Sequence, residues 1–305
     1  MKIPRPIARV VPLACVLVLP WTGLAAASPK ENAQDPAARL LRDAALMLLK
    51  EGNVRYVTGK PQHPHLDSER RTSTGTQGQE PFATVLACSD SREPVELIFD
   101  RGVGDLFVVR VAGNIAGESE MASVEYSVSH LNTPVLVVMG HSECGAVTAV
   151  VKGAALPGHL PVLAAKIRPA VEKAKADGSE AEEAITKAIQ ANVWQTIEDL
   201  IKDSQIVRER LHNGRLSIVG AVYDLEQGKV NWLGAHPAED ALVALADQAV
   251  TDTALAKKLA NQEPVTAPRT TPGGSSAAVR RAPTAPAVAN NENSPDQPAT
   301  PAKEH

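Results

Sequence analysis

Ala83-Thr84-Val85-Leu86-Ala87-Cys88-Ser89-Asp90-Ser91-Arg92 is an apolar run that ends in a thiol, a carboxylate and a guanidinium at alternate positions. No residue before Cys88 in this run would break a strand. The pattern returns as Pro134-Val135-Leu136-Val137-Val138-Met139, followed by Gly140-His141-Ser142-Glu143-Cys144-Gly145. Short continuous apolar runs bounded by turn residues read as strands buried on both faces, which is the habit of parallel sheets. Two such strands with chemistry at their ends place that chemistry at one carboxyl edge. In open α/β sheets, ligands bind at that edge.

Working outward, Phe82 to Ala87 reads as the first strand, Leu106 to Val111 as the second, Val135 to Met139 as the third and Leu216 to Tyr223 as the fourth. Glu226-Gln227-Gly228 reads as a hairpin turn into a fifth strand, Lys229 to Leu233, antiparallel to the fourth. Between them lie helical patterns. Pro36 to Val57 carries Leu40, Leu41, Ala44, Leu48 and Leu49 at helical spacing, with Asp35 as its cap. Val95 to Phe99 makes a short helix, and Glu118 to Leu131 carries Met121, Val124, Val128 and Leu131 on one face. A helix opened by His141 runs towards Val151, and Leu160 to Lys175, Glu180 to Arg210 and Ala238 to Ala260 follow. Gly59 to Glu80, with its His63-Pro64-His65, reads as a polar, turn-rich loop. The expected fold is α/β: a central, mostly parallel sheet of four parallel strands plus an antiparallel edge strand, flanked by helices.

Both ends of the 305-residue chain lie outside this pattern. Residues 1–27 read as a secretory signal: Lys2, Arg5 and Arg9, an apolar run from Val10 to Leu19, then Ala25-Ala26-Ala27 as a cleavage site before Ser28. The run is too short for a membrane span, which needs about 20 apolar residues, and Cys15 lies inside it rather than after it, which argues against a lipoprotein. Residues 263–305 hold eight prolines and no aromatic, Leu, Ile or Met, and such a segment is expected to be disordered. Residues 28–262 are then expected to form a single α/β domain of an exported protein, periplasmic or secreted, with no transmembrane segment in the mature chain. A net charge of −4 without a basic cluster argues against nucleic acid as a partner.

Of the three cysteines, Cys15 leaves with the signal, so Cys88 and Cys144 are the only thiols of the mature chain. In a compartment that favours disulfides they either pair or are held by a metal. Zinc binds Cys sulfur and His nitrogen tetrahedrally, and catalytic sites keep the fourth position open. Cys88, His141 and Cys144 supply three such ligands, for one Zn²⁺ per chain. His141 and Cys144 are expected on one face of a helix start. Asp90 and Arg92 follow Cys88 at a spacing of two, which in an extended turn points them to the same side.

Cys88-Ser89-Asp90-Ser91-Arg92 and Gly140-His141-Ser142-Glu143-Cys144-Gly145 resemble the paired signatures of the β-class carbonic anhydrases. The resemblance extends from Gly78-Gln79-Glu80-Pro81 through Phe107-Val108-Val109-Arg110 and Val124-Glu125-Tyr126 to the strand pair ending near Gly234. It implies zinc on Cys88, His141 and Cys144, with Asp90 and Arg92 as a catalytic dyad beside it. It implies reversible hydration of CO2 to bicarbonate and a proton, by attack of a zinc-bound hydroxide. Gln79 matches a substrate-binding glutamine, and Phe107 and Tyr126 match apolar walls of the CO2 pocket. The family fold implies a homodimer or a dimer of dimers, with Gln79 and Tyr126 serving the partner's zinc. Asp90 as a fourth ligand would give the closed state that some members adopt. Glu93 departs from the pattern, standing where the family usually has an apolar residue. It either competes with Asp90 for Arg92 or, as expected for a turn residue, points to solvent. Two rival readings are carried: the same fold acting on COS or CS2, and a non-enzymatic protein with a Cys88–Cys144 disulfide.

Overall fold

Parallel strands buried on both faces dominate the centre of the molecule. The computed structural model describes residues 35–176, 178 and 181–260, so the expected signal and tail lie outside the described residues. The sheet has the order β2-β1-β3-β4-β5, formed by β1 (Ala83–Ala87), β2 (Leu106–Arg110), β3 (Val135–His141), β4 (Ser217–Tyr223) and β5 (Val230–Gly234). Strands β2, β1, β3 and β4 are parallel, and β5 runs antiparallel to β4 at the edge. The expected α/β architecture is the one observed. Every residue of β1 and of β3 is buried, whereas edge strands β2 and β5 are only partly so.

Side chains alternate across a strand, so each central strand feeds two cores. On one face Val85, Ala87, Val137 and Met139 pack with Leu49, Ile98 and Phe99, which come from helix α1 (Pro36–Val57), helix α3 (Val95–Ile98) and the residue after it. On the other, Leu86, Leu136 and Val138 meet Val124, Val128, Val193, Ile197 and Leu200. Those belong to α4 (Glu118–Ser129) and α7 (Ala181–Asp203). Gly52 of α1 permits the first of these packings, since a Cβ there would fall 1.8 Å from the Phe99 carbonyl oxygen. Asp35 caps α1 as expected, its carboxylate accepting from the Ala37 N–H at 2.9 Å.

Three local readings are corrected. Ser68–Gln77 is a helix, α2, although Gly59 to Glu80 reads as loop. It has no apolar periodicity to betray it, and it is held by its Asp67 cap and by Arg70, which donates to the Val103 carbonyl and to Asp105. The long helical pattern from Glu180 is two helices, α7 and α8 (Gln205–His212). The Ser204 hydroxyl between them accepts from the Val207 N–H and donates to Glu125, so the chain caps and restarts. Third, β3 continues through His141, and the following helix α5 (Gly145–Val151) begins only after Cys144. Helices α6 (Leu160–Lys175) and α9 (Glu239–Ala260) complete the fold, and no helix of the described residues is long and apolar enough to cross a membrane.

Strand order positions the site. The chain goes from β1 outward to β2, then returns to place β3 on the other side of β1. Connections therefore leave the carboxyl ends of β1 and β3 in opposite directions, and a crevice opens between them. Cys88 follows β1 directly, and His141 is the last residue of β3.

Candidate metal centre and its surroundings

Cys88, His141 and Cys144 converge in that crevice, with their ligand atoms all within 4.8 Å of one another. Register sets two of them, because Ala87 pairs with Met139, so that Cys88 stands level with Gly140, one residue before His141, at the sheet edge. A turn sets the third. The expectation that His141 and Cys144 share a helix face is not met: His141 ends a strand and Cys144 is the N-cap of α5. Glu143, in the left-handed region at φ 54°, reverses the chain so that the two side chains meet. Ser142 locks this turn to β4, its N–H donating to the Tyr223 carbonyl and its hydroxyl accepting from the Leu225 N–H.

The triad suits a soft or borderline cation. Both thiols are free and buried, so the Cys88–Cys144 disulfide of the rival reading is not formed. His141 is fully buried; its Nδ1 faces the Ser142 carbonyl at 2.8 Å and must donate there, leaving Nε2 as the lone-pair nitrogen. That Nε2 has no hydrogen-bond partner. A buried acceptor without a partner is costly unless something binds it, and a zinc ion held with the two sulfurs would satisfy it. The electrostatics agree. Cys88 is held far below the ordinary thiol range by the Cys144 thiol, by His141 and by the Gly113 N–H, which lies 3.3 Å from its Sγ. Burial alone would lower His141, yet Cys88 and Glu93 outweigh it and the net direction is upward, so the locus favours positive charge. Gly113 sits at φ 80°, and a Cβ there would come within 2.7 Å of Ile167 Cδ1. Asn192 and Thr196 of α7 bind the carbonyls of Gly113 and Asn114 and fix this donor.

Asp90 and Arg92 form a bidentate pair beside the triad, with Arg92 Nε 2.9 Å from Oδ1 and a terminal nitrogen 2.8 Å from Oδ2. The pair holds the Asp90 carboxyl well below the usual carboxylate range. Asp90 Oδ2 lies 3.8 Å from His141 Nε2, which places this carboxylate against the metal locus. Arg92 also reaches the Glu143 carbonyl at 3.4 Å and so ties the first signature to the second.

Glu93 is the main correction. It does not point to solvent and does not compete for Arg92: it is fully buried, and its Oε2 accepts from the Cys88 N–H at 3.0 Å. Its own N–H donates to the Asp90 carbonyl, closing a turn that swings the side chain back under the site. Burial pushes its carboxyl up to about 8. Arg110 was visible in sequence only as part of the wider resemblance, without a role. Its guanidinium donates to the Cys88 carbonyl at 2.9 Å and to the Asp90 carbonyl at 2.6 Å.

The remaining expected site residues are not gathered here within one chain. Gln79 is exposed between α2 and β1. Phe107 pairs with Thr84 on β1, four residues before Cys88 and so about 13 Å below the edge at the usual strand rise. Tyr126 packs on Phe107, with ring centroids 6.0 Å apart, and stacks on His130 at 5.1 Å. Of the loop histidines, His65 is bound to Asp105. An apolar recess of about 280 Å³, walled by Ala112, Ala146, Val150, Leu163 and Ile167, reaches Gly145, the residue after Cys144.

Comparison with known proteins follows the same residues. A family model described as "Carbonic anhydrase" matches residues 83–230, which include both signatures. Carbonic anhydrase 2 of Mycobacterium tuberculosis is 39% identical over 190 residues, 61% of this chain and 90% of its own length. The carbonic anhydrase of Mycolicibacterium smegmatis is 37% identical over 191 residues, covering 61% of this chain and 91% of that protein. Among solved structures, the β-carbonic anhydrase CafA of Aspergillus fumigatus aligns with a TM-score of 0.53 at 29% identity, over 66% of this chain and 95% of that one. With the sheet, its switch-point crevice and both signatures in place, the chain belongs to the β-carbonic anhydrase family.

Proposed function

We propose that this protein is a zinc enzyme that interconverts CO2 and bicarbonate, with zinc held by Cys88, His141 and Cys144. One observation carries the reading: a buried triad with an unpartnered imidazole nitrogen, placed against a carboxylate that an arginine keeps ionised. When bound, zinc supplies Lewis acidity that allows a water to lose its proton near neutral pH. The rest is done by the chain. Asp90, anionic because Arg92 occupies both its oxygens, can accept a hydrogen bond from the attacking water and orient it towards the carbon of CO2. The same clasp supports an arrangement in which Arg92 keeps Asp90 off the metal. The apolar lining of the recess beside Gly145 suits a small apolar substrate.

A homodimer fits the exposed apolar residues. Leu40, Met47 and Val54 recur along α1 and are 69%, 54% and 62% exposed, and Tyr126 is 46% exposed. In such an assembly Gln79, Phe107 and Tyr126 would complete the substrate pocket of the partner. Export follows from residues 1–27, and N-terminal sequencing of protein recovered outside the cytoplasm should begin at Ser28; recovery of the uncut chain only inside the cell would contradict it. The catalytic reading is tested by zinc analysis and stopped-flow CO2 hydration on the purified protein. About one zinc per chain with hydration activity is expected; a metal-free protein, or a zinc-loaded one inert at every pH, would overturn it.

A further inference from the structure

Glu93 is a buried acid that neither the dyad nor the triad requires. Burying a carboxyl costs several kcal/mol unless its partners compensate, and an apolar residue of similar size would fill the space without that cost. Its contacts indicate what it does instead. The Cys88 N–H donates to Glu93 Oε2 at 3.0 Å, while the Cys88 carbonyl accepts from Arg110 at 2.9 Å. One ligand residue is thus gripped at both backbone polar groups, by a carboxyl on one side and a guanidinium on the other. The Gly113 N–H, 3.3 Å from Sγ, fixes the third polar atom of the same residue. Glu93 can reach back because the turn from Asp90 closes on its own N–H. Its other oxygen, Oε1, is buried and has no hydrogen-bond partner, so the carboxyl is committed to this one contact.

We infer that Glu93 is a positioning residue for the metal ligand Cys88: with Arg110 it holds the Cys88 backbone so that the thiolate meets zinc without rearrangement. The inference deepens the zinc reading above and rests on it. Groups that orient metal ligands from behind typically contribute 10–100-fold to metal affinity.

The test compares wild type with Glu93→Gln, Glu93→Val and Glu93→Asp, each checked for folding by circular dichroism. Glutamine keeps an acceptor at the same reach, valine removes it, and aspartate keeps the charge but withdraws the acceptor by one methylene. Zinc release to a chelator and the absorption bands of the cobalt-substituted protein are read beside activity. The expected result is release about 10–100-fold faster in the valine variant, with altered cobalt bands; aspartate should follow valine and glutamine should follow wild type. If valine and aspartate variants release zinc at the wild-type rate with unchanged cobalt bands, Glu93 only fills space. If glutamine releases zinc as fast as valine, charge and not the backbone contact matters, and the positioning role is wrong. Should the valine variant not fold, aspartate against glutamine still decides. A wild-type protein that binds no zinc would instead overturn the zinc reading itself.

Discussion

His141 Nε2 of the triad lies 3.8 Å from Asp90 Oδ2 of the dyad, yet the two groups are built in opposite ways. Cys88, His141 and Cys144 are buried, the two cysteines in an apolar cluster with Ile115, Val147 and Ile167, and all three are fixed by strand register, by a left-handed turn and by the backbone of neighbouring loops. Asp90 and Arg92 stand at the mouth of the crevice, with the Arg92 side chain 55% exposed. Their geometry rests on their own ion pair, on the reach of Arg92 to the Glu143 carbonyl, and on the Arg110 and Glu93 donors to the Asp90 carbonyl. Burial favours tight retention of a cation by ligands that need not move. Exposure leaves the dyad free to meet solvent, substrate and product. Holding the metal and turning substrate over are therefore separable properties, and mutations should separate them.

The largest effect should come from the buried side. Cys144→Ala removes a sulfur that no neighbour can replace, so zinc content by mass spectrometry and CO2 hydration should both collapse; near-normal zinc would mean that the triad is not the metal site. Next comes the exposed side. Asp90→Asn keeps shape and loses charge, and kcat/KM should fall by about 100-fold or more, in the range of misplaced acid–base groups, while zinc per chain stays at the wild-type level. Loss of zinc in that variant would blur the division drawn here. A smaller effect tests the packing behind the triad. Gly113→Ala forces a Cβ into the left-handed region against Ile167 and should destabilise the protein by about 1–3 kcal/mol, read as a lower Tm with faster zinc release. An unchanged Tm would show that the turn tolerates a side chain.

The smallest effect is a pH dependence. Asp90 is depressed in the folded protein chiefly by Arg92, so the stability it contributes is present above the unfolded aspartate pKa of about 3.9 and is lost as pH falls towards the folded value. Arg92→Ala removes that contribution. The Tm gap between wild type and Arg92→Ala, measured on metal-free protein, should be small at neutral pH for so exposed a pair. It should close in acid. A gap that widens as pH falls would contradict the assignment.

What the sequence made legible follows from the same contrast. The two central strands announced themselves because burial on both faces demands unbroken apolar runs, and the ligands were visible because they end those runs. Helix α2 was hidden, since SERRTSTGTQ buries nothing and its support comes from Val103 and Asp105, far along the chain. Glu93 was misread because a carboxylate in a polar turn ordinarily faces water. Only the fold reveals that its turn points inward, to a backbone N–H left free at the end of β1. Arg110 was hidden for a related reason: its partners are carbonyls, which leave no mark on the sequence.

The division between holding and turning over is tested most directly by one paired measurement, zinc per chain and CO2 hydration rate on the same preparations of wild type and Arg92→Ala. The expected result is about one zinc in both proteins and rapid hydration in the wild type alone. Equal hydration rates, or zinc lost from Arg92→Ala together with activity, would contradict it.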